Sequence, residues 1–122
     1  MACCHHYQFE AGCEDAFRVD GQSLVFGPRC LSEAGAHASS LNLSRVALYT
    51  DKGISASDHV DKVRASLVQA GIDVVIYDDV AIEPTDKSFK TAATFAQEGN
   101  FDGFISVGGG SVIDTCKAAN LY

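Results

Sequence analysis

The feature that most constrains this chain lies at its C-terminal end, where Phe101 to Tyr122 reads FDGFISVGGGSVIDTCKAANLY. Phe104, Ile105 and Val107 form a short apolar run of the kind that makes a buried strand. Three consecutive glycines, Gly108, Gly109 and Gly110, follow it. Ser111 then opens a segment in which Val112, Ile113, Cys116 and Ala119 recur at helical spacing. A strand running through glycine into a helix start shapes backbone around an anion. Glycine lets the main chain approach a phosphate with no Cβ between them. The unbonded N–H groups and partial positive charge of the first helical turn point at the same place. A purely structural use of these residues is the S-x-x-D spacing of Ser111 and Asp114, close to a capping box, which would steady any helix start. One glycine would fit that use equally well. Three in a row cost chain entropy that a turn does not require, and so favour the ligand. The run is not the G-x-G-x-x-G fingerprint, because Ile113 stands where its third glycine belongs.

The same alternation runs through the chain upstream. Arg45 to Thr50 (RVALYT) and Asp73 to Tyr77 (DVVIY) read as buried strands. Between them, Ser57 is placed to cap a helix carrying Val60, Val63 and Leu67 on one face and stopped by Gly71. After the loop Asp78 to Pro84, Asp86 is placed to cap a helix through Gln97 with Phe89, Ala92, Ala93 and Ala96 inward, ended by Gly99 and Asn100. Nearer the N-terminus, Ala16–Val19 and Ser23–Phe26 alternate around Asp20-Gly21-Gln22, which predicts a β-hairpin. Gly27-Pro28 breaks it, and a helix of small residues is expected from Arg29 to about Leu41. Residues 1–15 read as irregular. Strands alternating with helices of this length imply an α/β, Rossmann-like fold, with a mostly parallel sheet, flanking helices and the N-terminal hairpin. In such sheets ligands gather at the carboxyl ends of the strands. Asp51, the loop from Asp78 to Pro84 and the glycines all fall there. Asp51 is placed either to accept hydrogen bonds from a ribose diol or to serve as a turn residue before Gly53.

Composition narrows the partners. At 122 residues the chain can hold one domain with a real core but is short for separate cofactor and substrate lobes. A net charge of −7 argues against nucleic acid or an anionic membrane as the main partner, and no apolar stretch approaches membrane-spanning length. The opening MACCHHYQFE has no Lys or Arg and resembles neither a secretory signal nor a mitochondrial presequence. The five cysteines, an odd number without framework spacing, suit free thiols in a reducing compartment. Cys3, Cys4, His5 and His6 are metal-ligand types, but adjacent ligands point apart and no second pair follows at finger-like spacing.

Three segments carry a resemblance: LYTDKGI around Asp51, YDDVAIEPTDKSF, and VGGGSVIDTCKAANLY. Together they resemble the N-terminal domain of the iron-containing (group III) alcohol dehydrogenases, from about Ala16 onward. Within that family the Glu83-Pro84-Thr85-Asp86 and Asn120-Leu121-Tyr122 segments are most similar to the hydroxyacid-oxoacid transhydrogenases. That resemblance implies oxidation of 4-hydroxybutyrate to succinate semialdehyde with reduction of 2-oxoglutarate to 2-hydroxyglutarate, the hydride passing through bound NAD. It implies that Asp51 meets the adenosine ribose, that Glu83 and Pro84 line the adenine side, and that Gly109, Gly110 and Ser111 hold the pyrophosphate. Asp114 matches the motif's acidic residue, either capping the loop or touching the ligand. The wider family often has Asn where Glu83 stands.

The resemblance further implies a divalent metal, iron, held by one Asp and three His on an all-helical C-terminal domain. These residues do not contain that domain, and His5, His6, His37 and His59 match no ligand motif. Residues 16–122 are therefore expected to be an incomplete dinucleotide-binding domain, the N-terminal part of a longer protein, with an open sheet edge and no catalytic residue of its own. A homo-oligomeric full-length form and a mitochondrial location in an animal, cytoplasmic otherwise, are implied in the same way. Other readings of the residues are another iron-type alcohol or glycerol dehydrogenase and a receiver-like module built on Asp51, Asp78, Asp79 and Lys117. A glycine-loop phosphotransferase is a third, although Gly109 stands where its loop usually has Asp.

Overall fold

The computed structural model describes residues 22–122, and the structural statements below concern these. Three parallel strands, β1 (Arg45–Tyr49), β2 (Asp73–Tyr77) and β3 (Gly103–Ser106), form one sheet in the order β2-β1-β3. Val46 of β1 pairs with Val74 of β2 and with Gly103 of β3, and the register runs on to Tyr49 opposite Tyr77 and Ser106. The central strand is the most buried one: Val46, Ala47, Leu48 and Tyr49 are all fully buried.

Helix α1 (Ala34–Ser40) precedes the sheet, α2 (Asp58–Gln69) joins β1 to β2, α3 (Asp86–Glu98) joins β2 to β3, and α4 (Gly110–Leu121) follows β3. The chain moves outward from β1 to β2, then crosses back past β1 to β3. Crossovers of one hand then place α2 and α3 on opposite faces. Strand alternation divides the core accordingly. Val46 and Leu48 pack with Val60, Val63, Leu67 and Ala38 on the α1–α2 face. Ala47 and Tyr49 pack with Ala92, Ala96, Val112, Cys116 and Ala119 on the α3–α4 face. Tyr49 centres an aromatic group with Tyr77, Phe95 and Phe104, ring centroids 5.1–6.4 Å away. Its hydroxyl donates to the Ala92 carbonyl at 3.0 Å, and burial pushes its acidity well below that of an ordinary tyrosine. The same burial raises the Cys116 thiol to about 11 and makes it a packing residue.

The ends of the elements follow local chemistry, with several departures from the sequence expectation. Alpha-helical structure was expected from Arg29, but a 3-10 turn (Cys30–Glu33) comes first and α1 proper starts at Ala34. Gly71, at φ +79°, ends α2 as expected. Its N–H bonds the Val68 carbonyl and that of Ile72 bonds Leu67, a Schellman arrangement with Ile72 and Leu67 in the same core cluster. The cap of α3 is Thr85 rather than Asp86. Its hydroxyl accepts from the Ser88 N–H while the Ser88 hydroxyl accepts from the Thr85 N–H, a two-residue exchange that a carboxylate one position later cannot make. Ser57 precedes α2 but its hydroxyl makes no cap bond. DVVIY is half-buried rather than buried, because β2 is an edge strand and Ile76 reaches solvent.

The expected hairpin is not formed by its described half. Ser23–Phe26 is not a strand, and Leu24 and Phe26 are almost wholly exposed; apolar alternation makes a strand only where a neighbouring ladder takes its backbone groups. Ala16–Val19 lies outside the described residues, as does the Cys3–His6 cluster.

Candidate functional site

The carboxyl ends of the three strands form one edge, and the loops leaving them are stitched together. Thr50 links both neighbours: its N–H donates to the Tyr77 carbonyl and its hydroxyl to the Val107 carbonyl, each at 2.9 Å. The Val107 N–H donates to the Tyr49 carbonyl, continuing the ladder one residue past β3. Lys52 Nζ lies 3.0 Å from Asp79, joining the loops after β1 and β2. That carboxylate holds the exposed ammonium protonated above its usual range. The Ser111 hydroxyl donates to the Ile82 carbonyl and ties the β2–α3 loop to the start of α4. Because the chain moves from β1 out to β2 and then crosses back past β1 to β3, the junction of β1 with β3 is a point where the strand order reverses. Crevices for ligands open at such points. Asp51 and the glycines flank this one.

The three glycines are not equivalent. A Cβ on Gly108 would sit 2.5 Å from Cγ2 and 2.9 Å from Cβ of Val112, and 3.3 Å from Ile54 Cδ1. The fold itself requires glycine there. A Cβ on Gly109 or Gly110 would meet nothing within 4 Å, and Gly109, at φ −86°, has a backbone that any residue adopts. These two glycines leave an open space over the first turn of α4. That helix begins at Gly110, has Gly109 as N-cap, and receives no side-chain cap bond. The Ile113 N–H takes the Gly109 carbonyl, so the preceding N–H groups of the first turn remain directed outward. A phosphate-sized anion fits this arrangement of bare backbone and helix dipole.

The alternative, structural use of Ser111 and Asp114 as a capping box is absent. Ser111 lies inside the first turn, one residue past the helix start, and its hydroxyl is spent on Ile82. Asp114 is exposed and makes no hydrogen bond or ion pair among the described residues. Asp51 does serve the turn: its Oδ1 accepts from the Gly53 N–H at 2.7 Å and the Ile54 N–H at 3.1 Å. Among the described residues no hydrogen bond uses its Oδ2, so one carboxylate oxygen folds the loop and the other takes no part in that turn. Glu83 is exposed and Pro84 half-buried, on a loop anchored by buried Val80 before them and the Thr85 cap after them. The edge thus brings together Asp51, Glu83, Pro84, Gly109, Gly110 and Ser111, with Asp114 one turn along α4.

Sequence reasoning missed Thr50, Ile54 and Ile82. Each acts through a contact between loops more than 25 residues apart, which no local pattern reveals. Ile54 is fixed by its approach to Gly108, and Ile82 by its carbonyl.

Residues 21–122 match the family model described as iron-containing alcohol dehydrogenase. The chain belongs to the iron-containing alcohol dehydrogenase family. The mitochondrial hydroxyacid-oxoacid transhydrogenase of Xenopus laevis is 47% identical over 107 residues, 88% of this chain but 23% of that protein. The human one is 44% identical over the same share of each. Among solved structures, the NADH-dependent butanol dehydrogenase A of Thermotoga maritima superposes with a TM-score of 0.78 at 27% identity, covering 89% of this chain and 28% of that one. A 1,3-propanediol oxidoreductase gives 0.71 at 34% identity, covering 75% and 24%. The chain therefore spans about a quarter of the relatives it matches. Oxidoreductases of this family generally use NAD(H) and iron. Among the described residues no three His, Cys, Asp or Glu side chains stand together as metal ligands.

Proposed function

We propose that this chain is the NAD-binding portion of a mitochondrial hydroxyacid-oxoacid transhydrogenase, and that residues 16–122 form the N-terminal part of a domain completed by further sequence. The observation that carries the reading is the open space over Gly109 and Gly110 at the uncapped start of α4, beside Asp51. The edge fits a dinucleotide. The N–H groups of Gly110 and Ser111 would take the pyrophosphate, Asp51 Oδ2 a ribose hydroxyl, and the loop through Glu83 and Pro84 the adenine side. When bound there, NAD would supply a nicotinamide able to carry hydride from 4-hydroxybutyrate to 2-oxoglutarate, with one proton released at the alcohol and one taken up at the oxoacid. The role of these residues would be to bind and orient the dinucleotide. Asp51 further disfavours a 2′-phosphorylated dinucleotide, because a dianion beside its carboxylate is repelled.

A plain alcohol dehydrogenase is the second reading, favoured by the solved relatives named for butanol and 1,3-propanediol. The test is done on the full-length protein. The transhydrogenase reading expects 2-hydroxyglutarate to form from 4-hydroxybutyrate and 2-oxoglutarate with no NAD added. Turnover that requires free NAD and proceeds without an oxoacid would establish the alcohol dehydrogenase instead.

A further inference from the structure

Ser111 is the residue of the glycine run whose side chain does something other than its position suggests. Its hydroxyl has one proton to donate, and that proton goes to the carbonyl of Ile82, 29 residues away on the β2–α3 loop. The acceptor's own side chain is 83% exposed. A lone exposed isoleucine normally needs no explanation. This one differs because its backbone is held at three points: buried Val80 two residues before, the Ser111 hydroxyl at its own carbonyl, and the Thr85–Ser88 cap just after. An apolar side chain is thus presented to solvent by a fixed segment, at the edge where the glycines leave their space open.

We infer that the Ser111 hydroxyl is a positioning group, and that it sets Ile82 as an apolar seat for the purine ring of the dinucleotide. The inference rests on the reading above that the edge holds NAD. On this account Ser111 gives the ligand only its backbone N–H, and its side chain couples the phosphate end of the site to the base end. A ring laid on Ile82 buries apolar surface on both partners, which is worth about fivefold in affinity.

The test compares full-length protein with its Ile82→Ser, Ser111→Ala and Ser111→Thr variants, titrated with NAD, ADP-ribose and nicotinamide mononucleotide. Ile82→Ser should weaken NAD and ADP-ribose about fivefold and leave the mononucleotide, which has no purine, unchanged. Ser111→Ala should reproduce that selective loss, Ser111→Thr should restore wild-type affinity, and the double variant Ile82→Ser/Ser111→Ala should lose little more than either single one. A residue that only steadies the fold would weaken all three ligands together. Equal losses for all three ligands, or no loss in either variant, would overturn the inference. If Gly110→Val still abolished NAD binding in that case, the NAD reading would stand without it. A wild-type protein that bound neither NAD nor ADP-ribose would overturn both.

Discussion

The two edges of the sheet are built by opposite rules. At the strand starts the charged groups Asp102, Arg45 and Asp73 all have partners within the fold. Asp102 accepts from the Ser44 N–H, the Ser44 hydroxyl and the Arg45 N–H, at 2.6–2.9 Å. Arg45 pairs with Asp73, donates to the Gly99 carbonyl and lies over the Phe101 ring. At the strand ends Gly109 and Gly110 face open space, α4 starts without a cap, and Ile82 stands in solvent. Both edges are built from Asp, Ser and Gly. They differ in whether those residues are satisfied within the fold. The start edge closes on itself and holds strands together; the end edge leaves the start of α4 without a side-chain cap and Asp51 Oδ2 without a hydrogen bond among the described residues.

Neighbouring glycines give the largest test of that contrast. Gly108→Val drives a branched side chain into Val112 and should cost about 3 kcal/mol of stability, read by urea unfolding. Gly110→Val should leave stability nearly unchanged yet weaken NAD at least tenfold, about 1.4 kcal/mol. Similar stability losses at the two positions would erase the distinction.

Asp51→Asn probes the end edge more finely. The amide oxygen can still accept from Gly53 and Ile54, so the turn survives while the charge goes. The preference for NAD over NADP should then fall about tenfold or more, most of it from the lost repulsion of the 2′-phosphate. An unmoved ratio would leave Asp51 a turn residue only.

The two helix starts at the end edge can be set against each other as well. Thr85→Ala removes the cap of α3 and should cost about 1 kcal/mol of stability, while NAD should weaken no more than about fivefold, the worth of the Ile82 contact. A larger loss of affinity would mean that the start of α3, too, faces the ligand.

The smallest effect belongs to the start edge. Asp102 is held below the usual carboxylate range, first by the Ser44 hydroxyl and then by the Arg45 and Ser44 N–H groups. A depressed carboxylate contributes stability that is fully present above its unfolded value and is lost as pH falls through its folded one. Asp102→Asn should therefore be less stable than wild type by a constant amount at neutral pH, and the gap should close on acidification below about pH 4. A gap that persisted in strong acid would show that shape, and not charge, is what the strand starts use.

Much of this was legible in the sequence because it is local. Strand and helix order came from apolar periodicity, and the stop at Gly71 from the one residue type that takes φ +79° cheaply. The Ser111–Asp114 spacing could not by itself decide between cap and ligand, because it serves a cap only if Ser111 precedes the helix, and Gly109 does so instead. Nothing local separates Gly108 from Gly109 and Gly110. That distinction needs Val112 and Ile54 brought to one side of the loop. DVVIY looked buried because its composition resembles RVALY, yet burial depends on strand order, which places β1 and not β2 at the centre. The family resemblance supplied roles for Asp51 and Glu83 that spacing alone left open.

The central claim is that the ligand lies at one edge of the sheet and not the other, and glycine amides report on both. In full-length protein isotope-labelled on glycine, titration with NAD should move the amide resonances of Gly109 and Gly110 strongly. Those of Gly99 and Gly103, at the start edge, should stay in place. Shifts at Gly99 and Gly103 with Gly109 and Gly110 unmoved would contradict the account.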